Sequence, residues 1–402
     1  MKKSADSVSG KKDVYHQEIN VHFDYPVIFT RDVFGKNNPV FADTISRRES
    51  DRIHKVITYV DKGVADATPG LLEKITRYLV ASKDKLLLTC SPIVIPGGRA
   101  AKTDYELIRR TMNTLGENRM DRQSVVVAVG GGNMLDATGL ATSLVHRGLR
   151  LVRIPTTVLS QNDAGIGVKN GIDEHGQKNF IGTFAPPFAV INDFDFLNTL
   201  SDATWRSGIS EAIKVAVIKD AGFMAFIRDN AEKLKNRDGE AMEQLVRRCA
   251  IIHLEHIKTS GDPFEFGTAR PLDFGHWAAH RLEILSGHRL GHGHAVAIGI
   301  SLDSCYACRQ GLLSEDELKM VLETFDSCGL PVSDELLLSE NADGELEILE
   351  GIRQFREHLG GELAITLPDG IGKKVEVNEM DTDLVASCAE QLAVIQPGNR
   401  IS

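Results

Sequence analysis

The sequence predicts a two-domain protein in which an α/β domain with a parallel sheet precedes an all-helical domain. The chain has 402 residues, more than the roughly 250–300 residues that one hydrophobic core usually supports. Strand patterns alternate with helical patterns in the first half, which predicts a mostly parallel sheet covered on both faces. Helical periodicity dominates the second half. We place the boundary near residues 198–204, with residues 1–200 in the α/β domain and 201–402 in the helical domain.

The strand signals of the first half are short runs of apolar and β-branched residues. The clearest is residues 124–129 (SVVVAV), which is almost wholly apolar, as in a strand buried on both faces. It leads into three glycines and a helix-like stretch over residues 134–145. The other predicted strands are residues 55–60, which end at Asp61, and residues 86–95, 150–154 and 188–191. We expect the polar first 20 or so residues to be frayed.

Amphipathic periodicity in the second half predicts five main helices, over residues 208–220, 239–260, 272–285, 294–309 and 314–328. One later strand signal, residues 363–367, precedes a Pro-Asp-Gly turn. We expect a structureless tail after Gln396. Cys305 and Cys308 form the only CxxC, and we interpret it as core packing because it lies in a helical stretch without a second pair.

Composition excludes several classes of protein. The hydrophobic fraction of 42% is too high for a disordered chain. The net charge of −10, without a long basic run, argues against binding to nucleic acid or an anionic membrane. No apolar run reaches the roughly 18 residues of a membrane span, and no apolar stretch follows the charged N-terminus as in a secretory signal. We expect a cytoplasmic protein with reduced thiols.

Three consecutive glycines, Gly130, Gly131 and Gly132, separate the predicted buried strand from the helix, and Asp136 lies four residues on. Such glycines let the backbone approach a ligand, and the helix N-terminus offers free N–H groups to a pyrophosphate. A tight strand-to-helix turn alone would also explain them, but the strand and helix around them favour a dinucleotide site. Asp61, at an earlier strand end, is either a ribose acceptor or an ordinary turn residue.

Histidines in the second half have a spacing typical of a metal site. His276 and His280 are spaced i, i+4, which places both rings on one helix face. His292 follows a glycine-containing loop, and Glu211 lies upstream in SEAIK. Two or three histidines plus one carboxylate make a common catalytic zinc site. Spacing alone leaves the ligand set open, because other histidines compete for the role: His253, His256, His288 and His294.

Together these motifs resemble those of the sugar phosphate cyclases, the superfamily of 3-dehydroquinate synthase and the 2-epi-5-epi-valiolone synthases. The resemblance runs from about residue 55 to about residue 372. It implies the dehydroquinate synthase-like fold, with a Rossmann-like sheet and a helical metal-binding domain. The matching segments are residues 130–136 (GGGNMLD), 146–148 (HRG), 155–169 (PTTVLSQNDAGIGVK), 177–182 (QKNFIG), 210–214 (SEAIK), 273–280 (DFGHWAAH) and 292–299 (HGHAVAIG).

The resemblance also implies a role for each matching residue. The ligands of a zinc or cobalt ion would be Glu211, His276 and His292, with His280 beside them as a substrate contact or proton relay. NAD would contact the glycine loop together with Asp61, Lys102, Asp136, Thr156, Thr157 and Lys178. The substrate's hydroxyls and phosphate would contact Asp163, Lys169, Asn179 and Lys214. Arg147 resembles a residue that reaches across a dimer interface, which implies a homodimer.

The implied reaction uses NAD⁺ and regenerates it within one turnover. A hydroxyl is oxidised by hydride transfer, and the new ketone acidifies the neighbouring C–H so that phosphate leaves by elimination. The hydride then returns, and the ring opens and recloses by an intramolecular aldol step. A metal ion would act as a Lewis acid, and lysines would stabilise the phosphate charge. His280 suits proton transfer because imidazole titrates near neutral pH.

Departures from the family pattern favour a substrate without a carboxylate. The lysine and arginine that bind the carboxylate in dehydroquinate synthases fall on Glu255 and Ala269, although a one-residue shift of the alignment would bring in Arg270. The family's asparagine is Asp273. Unpaired charge would disfavour a carboxylate there. We therefore expect a heptulose phosphate such as sedoheptulose 7-phosphate, and a valiolone-type C7 cyclitol as product.

Four further positions depart from the pattern. Leu135 replaces a glycine of the nucleotide loop, and His294 replaces the glutamate of the usual HGE triplet. Arg99 replaces an acidic residue, where it would favour a 2′-phosphorylated cofactor or simply be a solvated surface arginine. The family's pair of phosphate-binding lysines near the C-terminus is not evident in this sequence, and we assign their role to Arg356.

Three other hypotheses stay open. The first is dehydroquinate synthase itself. The second is a metal-dependent polyol dehydrogenase with the same domains, which would accumulate NADH and release no phosphate; the lysine-rich phosphate contacts argue against it. The third is a catalytically dead relative retained for binding or transport, and the complete set of metal ligands argues against that.

Overall fold

A parallel sheet and two hairpins contain all the strands of the structure, a computed structural model that describes residues 15–175, 177–260, 264, 272–358 and 363–395. The strands are β1 (Val27–Thr30), β2 (His54–Asp61), β3 (Leu86–Leu88), β4 (Ile93–Ile95), β5 (Val125–Gly130), β6 (Arg150–Pro155), β7 (Lys169–Glu174), β8 (Gln177–Phe184), β9 (Ala189–Asp193), β10 (Ile365–Pro368) and β11 (Lys374–Val377). The expected frayed N-terminus, the tail after Gln396, Ala269 and Arg270 lie outside the described residues.

Sixteen α-helices accompany these strands in the described part of the chain. They are α1 (Val40–Ser46), α2 (Lys62–Ala67), α3 (Leu71–Ala81), α4 (Gly98–Lys102), α5 (Tyr105–Glu117), α6 (Gly132–Leu144), α7 (Asp202–Ser207), α8 (Ile209–Lys219), α9 (Ala221–Asp229), α10 (Ala231–Lys235), α11 (Gly239–Thr259), α12 (His276–Leu285), α13 (His292–Arg309), α14 (Glu315–Ser327), α15 (Glu350–His358) and α16 (Thr382–Ala393).

The main sheet has seven strands in the order β1-β9-β6-β5-β2-β3, with β4 also paired to β2. Every pairing in it is parallel. Strand β5 is buried along its whole length. Val125, Val127 and Val129 pack on one face with α1 and α3, whereas Val126 and Ala128 pack on the other with α5 and α6. This alternation follows from the two-residue period of a strand and confirms the predicted α/β class.

The second half is helical, as predicted. Helices α7 to α16 share one large hydrophobic cluster, to which Cys305 contributes as expected of core packing. All six cysteines are free thiols. The sheet ends at Asp193 and α7 begins at Asp202, and the exact division at residues 200/201 stays a prediction. Among the described residues, no helix combines the length and the apolar character needed to cross a membrane.

Several predicted elements need correction. Residues 86–95 form two short strands, β3 and β4, that pair with β2 at successive positions. Strand β1, the antiparallel hairpin of β7 and β8 and strand β11 were not predicted. The hairpin escapes a pattern search because its strands carry many polar and glycine residues, which are poor strand formers. The helix predicted over 272–285 begins at His276, after Gly275 in a left-handed conformation.

Candidate active site

The predicted nucleotide residues meet at the carboxyl edge of the main sheet. Gly130 ends β5, and its carbonyl accepts a hydrogen bond from the Thr156 N–H at 3.0 Å. The Thr157 methyl lies against Gly131, 3.4 Å from where a Cβ would stand. Asp61 ends β2, is 8% exposed and accepts a hydrogen bond from Gly63 N–H at 2.8 Å. The carboxyl edge of a parallel sheet is where α/β proteins bind nucleotides.

Lys102 and Asp136 neutralise each other beside this edge. The Lys102 Nζ lies 2.6 Å from Asp136 Oδ2 and donates a second hydrogen bond to the Gly171 carbonyl at 2.9 Å. Gly171 belongs to β7, so the pair ties α4 and α6 to the hairpin. The structure therefore brings these two predicted cofactor contacts together as an ion pair.

The loop that follows β6 is held by a buried arginine. Arg153 is fully buried and donates hydrogen bonds to the carbonyls of Gly165, Gly167 and Lys169 and to Asn170 Oδ1. This clamp fixes the segment between Asp163 and Lys169, two predicted substrate contacts. At its start, Asp163 lies in a one-turn π-helix, Ser160–Ala164. π-Helical turns are frequent at functional sites.

Glu211, His276 and His292 form the one group among the described residues that could hold a metal ion, with ligand atoms all within 4.8 Å of one another. Glu211 Oε1 lies 3.5 Å from His276 Nε2 and 3.4 Å from His292 Nε2. Glu211 is 1% exposed, and its Oε2 forms a buried ion pair with Lys214, whereas its Oε1 lies against the two histidines. Two imidazole nitrogens and one carboxylate converge here, and this set of ligand atoms fits a divalent metal such as zinc.

Close helix packing brings the three ligands together. Helix α8 carries Glu211, α12 begins at His276 and α13 begins at His292. The first turn of α13 packs directly on the chain before α8, because a Cβ at Gly293 would lie 2.0 Å from the Ser207 carbonyl oxygen. Only glycine allows this approach, which places His292 over Glu211.

Asp303 holds the start of α12 from inside the helical core. Its carboxylate accepts hydrogen bonds from the Gly275 N–H and the Trp277 indole N–H, both at 2.8 Å. Burial raises the pKa of Asp303 to about 7, although these two hydrogen bonds oppose the shift. Both donors flank His276, so Asp303 fixes the backbone that carries this ligand.

Gly275→Ala is expected to destabilise the protein by about 2–5 kcal/mol, since an alanine would adopt a strained backbone and overpack the core. Gly275 has a φ of +77°, and a Cβ there would lie 2.6 Å from the Ile300 backbone nitrogen. The measurement is the free energy of unfolding in denaturant. Gly116→Ala is the matched control, because nothing lies within 4 Å of a Cβ at Gly116 in α5. Equal stability of the two variants would contradict the prediction.

Lys214 lies at the centre of the charged groups. It is 3% exposed, and its Nζ lies 2.5 Å from Glu211 Oε2. Burial would lower the pKa of Lys214, but the carboxylates of Glu211 and Asp163 outweigh it and raise that pKa. Conversely, burial would raise the pKa of Asp163, but the charges of Lys214 and His253 bring it to about 2. Lys214 is therefore a permanent cation between two carboxylates.

His280 lies beside the metal-ligand cluster. Its ring centroid is 5.6 Å from that of His276 and 6.2 Å from that of His292. Burial and the charge of Lys178 hold the pKa of His280 well below its usual range. His280 is thus an uncharged imidazole near pH 7, with one ring nitrogen as donor and the other as acceptor. Any proton relay through it would start with His280 as a base.

Metal binding is expected to release about one proton per ion between pH 7 and 9. Burial would lower the pKa of His292, but hydrogen bonds to Glu211 and Glu283 raise it to about 9. A metal must displace that proton, so the apparent affinity should rise about tenfold per pH unit up to pH 9. In the metal-free protein, the stability of the fold depends on pH in the opposite direction. The His292 cation contributes fully to the stability below pH 6.5, and this contribution is lost as the pH rises through 9.

Calorimetric titration of Zn²⁺ in buffers of different ionisation enthalpy measures the released protons. A release near zero at pH 7 would contradict the prediction.

The hairpin carries Lys178 and Asn179 toward the helical half. Lys178 Nζ contacts Glu283 Oε2 on α12. Asn179 has a φ of +53°, and its backbone N–H donates to Asp173 Oδ1 at 2.8 Å. Lys169 begins β7, and its side chain is exposed at the edge of the hairpin. The roles predicted for these three residues stay predictions.

Arg147 does not join the other predicted residues. It follows the carboxyl end of α6, about 20 Å along a 13-residue helix from the glycine loop. Arg147 is exposed, with a φ of +63°, and His146 before it has a φ of +51°. The role across a dimer interface predicted for Arg147 stays a prediction.

The other departures from the family pattern fall in ordinary environments. Leu135 is fully buried in the core around α6, and Arg99 is exposed on α4. His294 lies in the first turn of α13, where burial lowers its pKa. Arg356 is exposed on α15. Two positions bear on the substrate: Glu255 pairs with Lys258 at 3.4 Å on the surface, whereas the charge of Asp273 acts on Lys214.

Three residues of the site were not assigned from sequence motifs. His253 on α11, one of the competing candidates for a metal ligand, instead pairs with Asp163, with Nδ1 2.8 Å from Asp163 Oδ1. Glu283 contacts both Lys178 and His292. Asp303 supports the start of α12. Glu283 had a usable signal, since it follows His276 by seven residues and His280 by three, on the same helix face.

These features define a class of proteins that combine a nucleotide-type glycine loop at the edge of a parallel sheet with a metal-ligand cluster on packed helices. Two family models match the chain: 3-dehydroquinate synthase N-terminal over residues 92–207 and 3-dehydroquinate synthase C-terminal over residues 208–348. The chain belongs to the 3-dehydroquinate synthase family and is a sugar phosphate cyclase.

Curated relatives carry two different names. A 3-dehydroquinate synthase of Campylobacter fetus is 32% identical over 87% of this chain and 95% of its own length. A 2-epi-5-epi-valiolone synthase of Streptomyces glaucescens is 30% identical over 89% of this chain and 87% of its own length. Identity alone therefore does not distinguish between the two activities.

A solved structure is similar over nearly the whole chain. It is the 2-epi-5-epi-valiolone synthase of Streptomyces hygroscopicus subsp. jinggangensis 5008 with NAD⁺ and Zn²⁺ bound. Its TM-score is 0.83 and its identity 28%, and the match covers 94% of this chain and 99% of that one. The similarity confirms the dehydroquinate synthase-like fold.

Proposed function

We propose that this enzyme converts sedoheptulose 7-phosphate to a valiolone-type C7 cyclitol and releases phosphate, using NAD and a zinc or cobalt ion. The charges around the site support this choice of substrate. Asp273 stands near Lys214, and the side chain of Glu255 is exposed and engaged by Lys258. A substrate carboxylate would meet an acidic residue where dehydroquinate synthases have a neutral one, and Glu255 stands where those enzymes have a lysine.

The cofactor and metal assignments rest on the same site. Gly130 to Gly132 and the N-terminus of α6 suit a pyrophosphate, and Thr156, Thr157 and Asp61 stand around them. The Glu211, His276 and His292 cluster suits the metal. When bound, the two groups supply hydride acceptance and Lewis-acid polarisation of a substrate oxygen. The bound cofactors of the Streptomyces hygroscopicus structure support this assignment.

The chain's own side chains would position the substrate and move its protons. Lys214 is a fixed cation that can donate to a hydroxyl or phosphate oxygen, and Asp163 beside it is an ionised acceptor. His253 orients Asp163 from the outer side at 2.8 Å. His280, neutral near pH 7, accepts a proton from substrate. Lys169 and Asn179 add donors from the hairpin for the phosphate.

The enzyme would act as a homodimer. Arg147 is exposed at the far end of α6 from its own glycine loop, so it can help to bind phosphate only in the site of a second copy. Sedimentation velocity of the parent protein should give a dimer, and a monomer with full activity would exclude this role for Arg147.

The substrate is tested by measuring kcat/KM for phosphate release with sedoheptulose 7-phosphate and with 3-deoxy-arabino-heptulosonate 7-phosphate, each with NAD⁺ and Zn²⁺. We expect release from the first and little from the second. The reverse result would assign dehydroquinate synthase, the alternative favoured by the name of the Campylobacter fetus relative. Mass and NMR analysis of the product identifies the cyclitol.

A further inference from the structure

Glu283 is a buried carboxylate between the metal-ligand cluster and the hairpin. It lies on α12, and its side chain is 8% exposed. Glu283 Oε1 is 3.4 Å from His292 Nδ1, and Glu283 Oε2 contacts Lys178 Nζ on β8. The resemblance gives Lys178 a cofactor role and gives Glu283 none. Both oxygens of Glu283 are thus directed at groups that the proposed chemistry uses.

The two histidine ligands are held in the same way from outside the cluster. His276 turns Nε2 toward Glu211 and places Nδ1 3.1 Å from the Phe274 carbonyl. His292 turns Nε2 toward Glu211 and Nδ1 toward Glu283. A hydrogen on Nδ1 leaves the Nε2 lone pair free for a metal. The difference is that the acceptor behind His292 is a charged carboxylate.

A carboxylate acceptor affects a metal-bound histidine more strongly than a backbone carbonyl does. A carboxylate behind a metal-bound histidine fixes the ring and its tautomer, and it raises the basicity of the ligating nitrogen. A buried carboxylate is costly unless a cation compensates it. Lys178 supplies that cation, and it comes from the hairpin rather than from the helical half. The hairpin is therefore tied electrostatically to the metal-ligand cluster.

We propose that Glu283 is a positioning residue that orients His292 toward the metal, and that Lys178 holds Glu283 in this role. The inference rests on the metal binding of the proposed function, but not on the identity of the substrate.

The test is the Zn²⁺ dissociation constant of Glu283→Gln, measured by competition with a chromophoric chelator. Glutamine keeps the shape of the side chain but loses its charge, so the affinity should fall about 10–100-fold. Glu347→Gln is the matched control. Glu347 also pairs with a cation of α12, Arg281, but it does not contact the metal-ligand cluster. This variant should bind Zn²⁺ like the parent protein.

Glu283→Asp provides a second variant that keeps the charge for Lys178 but draws the oxygens away from His292 Nδ1. It should also weaken Zn²⁺ binding about tenfold, and it carries the test if Glu283→Gln does not fold. Lys178→Met should weaken binding as well, since Glu283 then loses its cation. Nitrogen chemical shifts of the Zn²⁺-loaded protein should change at His292 Nδ1 in Glu283→Gln, because the hydrogen-bond acceptor of that nitrogen is no longer charged.

A folded Glu283→Gln with a Zn²⁺ affinity within twofold of the parent would overturn the inference, as would a parent protein that binds no Zn²⁺. A parent that binds Zn²⁺ but releases phosphate from neither heptulose would instead overturn the proposed function. The loss of affinity in Glu283→Gln would then still stand.

Discussion

Glu211→Gln is expected to bind no stoichiometric metal and to lower the rate of phosphate release by at least about 10³-fold, since metal polarisation contributes several kcal/mol to the transition state. The amide keeps the size of the side chain but loses the charge that completes the ligand set. Metal content by mass spectrometry and kcat measure the two effects. Glu240→Gln, an exposed position in the first turn of α11, is the control and should change neither.

The same variant should also be less stable. Glu211 is the partner of a lysine that is 3% exposed, and removing one member of a buried ion pair typically costs about 3–5 kcal/mol. Asp163 remains near Lys214 as a second carboxylate, so we expect the loss of stability to lie toward the lower end of this range. A Glu211→Gln variant with full metal content and activity within tenfold of the parent would exclude the assigned metal site.

Lys214→Met is expected to keep its metal but to lower kcat by about 10²–10³-fold, which would separate it from Glu211→Gln. Lys214 is the cation between Glu211 and Asp163. Without it, two carboxylates face each other, so Zn²⁺ binding is retained while a donor to the substrate is lost. The measurements are Zn²⁺ content and kcat in the same preparation.

Lys219→Met is the matched control for Lys214→Met. Lys219 lies on the same helix, α8, and contacts His256 at 3.2 Å, outside the cluster. It should retain both metal and activity. Loss of metal in Lys214→Met, or unchanged kcat, would contradict the role given to Lys214.

The sheet could be predicted from sequence because its strands are buried on both faces. The residues of β5 alternate between two apolar environments, and the resulting apolar run is visible without any alignment. The β7–β8 hairpin could not be predicted in the same way. It lies outside the main sheet with polar residues at most positions of β8, so neither apolar runs nor alternation mark it.

Residue spacing in the sequence predicts only part of the metal-ligand cluster. His276 and His280 share a helix face, which the i, i+4 spacing predicts, yet only His276 joins the cluster. Glu211 and His292 come from α8 and α13, and their approach depends on the contact of Gly293 with Ser207. Tertiary contacts of this kind leave no local signal, so the family resemblance had to supply the ligand set.

Burial also changed the chemistry expected of single residues. His280 was assigned a proton relay because imidazole ordinarily titrates near neutral pH. In the structure, burial and Lys178 lower its pKa, so His280 is uncharged at pH 7 and does not titrate there. The net charge of −10 likewise gave no sign of the local cations Lys214, Lys178 and Lys102 near the site.

The central claim is a redox-neutral elimination of phosphate, and it is tested most directly by incubating Zn²⁺-loaded enzyme with excess sedoheptulose 7-phosphate and less NAD⁺ than substrate. Phosphate release and NADH absorbance are followed together. We expect many phosphates to be released for each NAD⁺ present, with no accumulation of NADH. NADH that accumulates until NAD⁺ is consumed, without phosphate release, would contradict it and identify a polyol dehydrogenase.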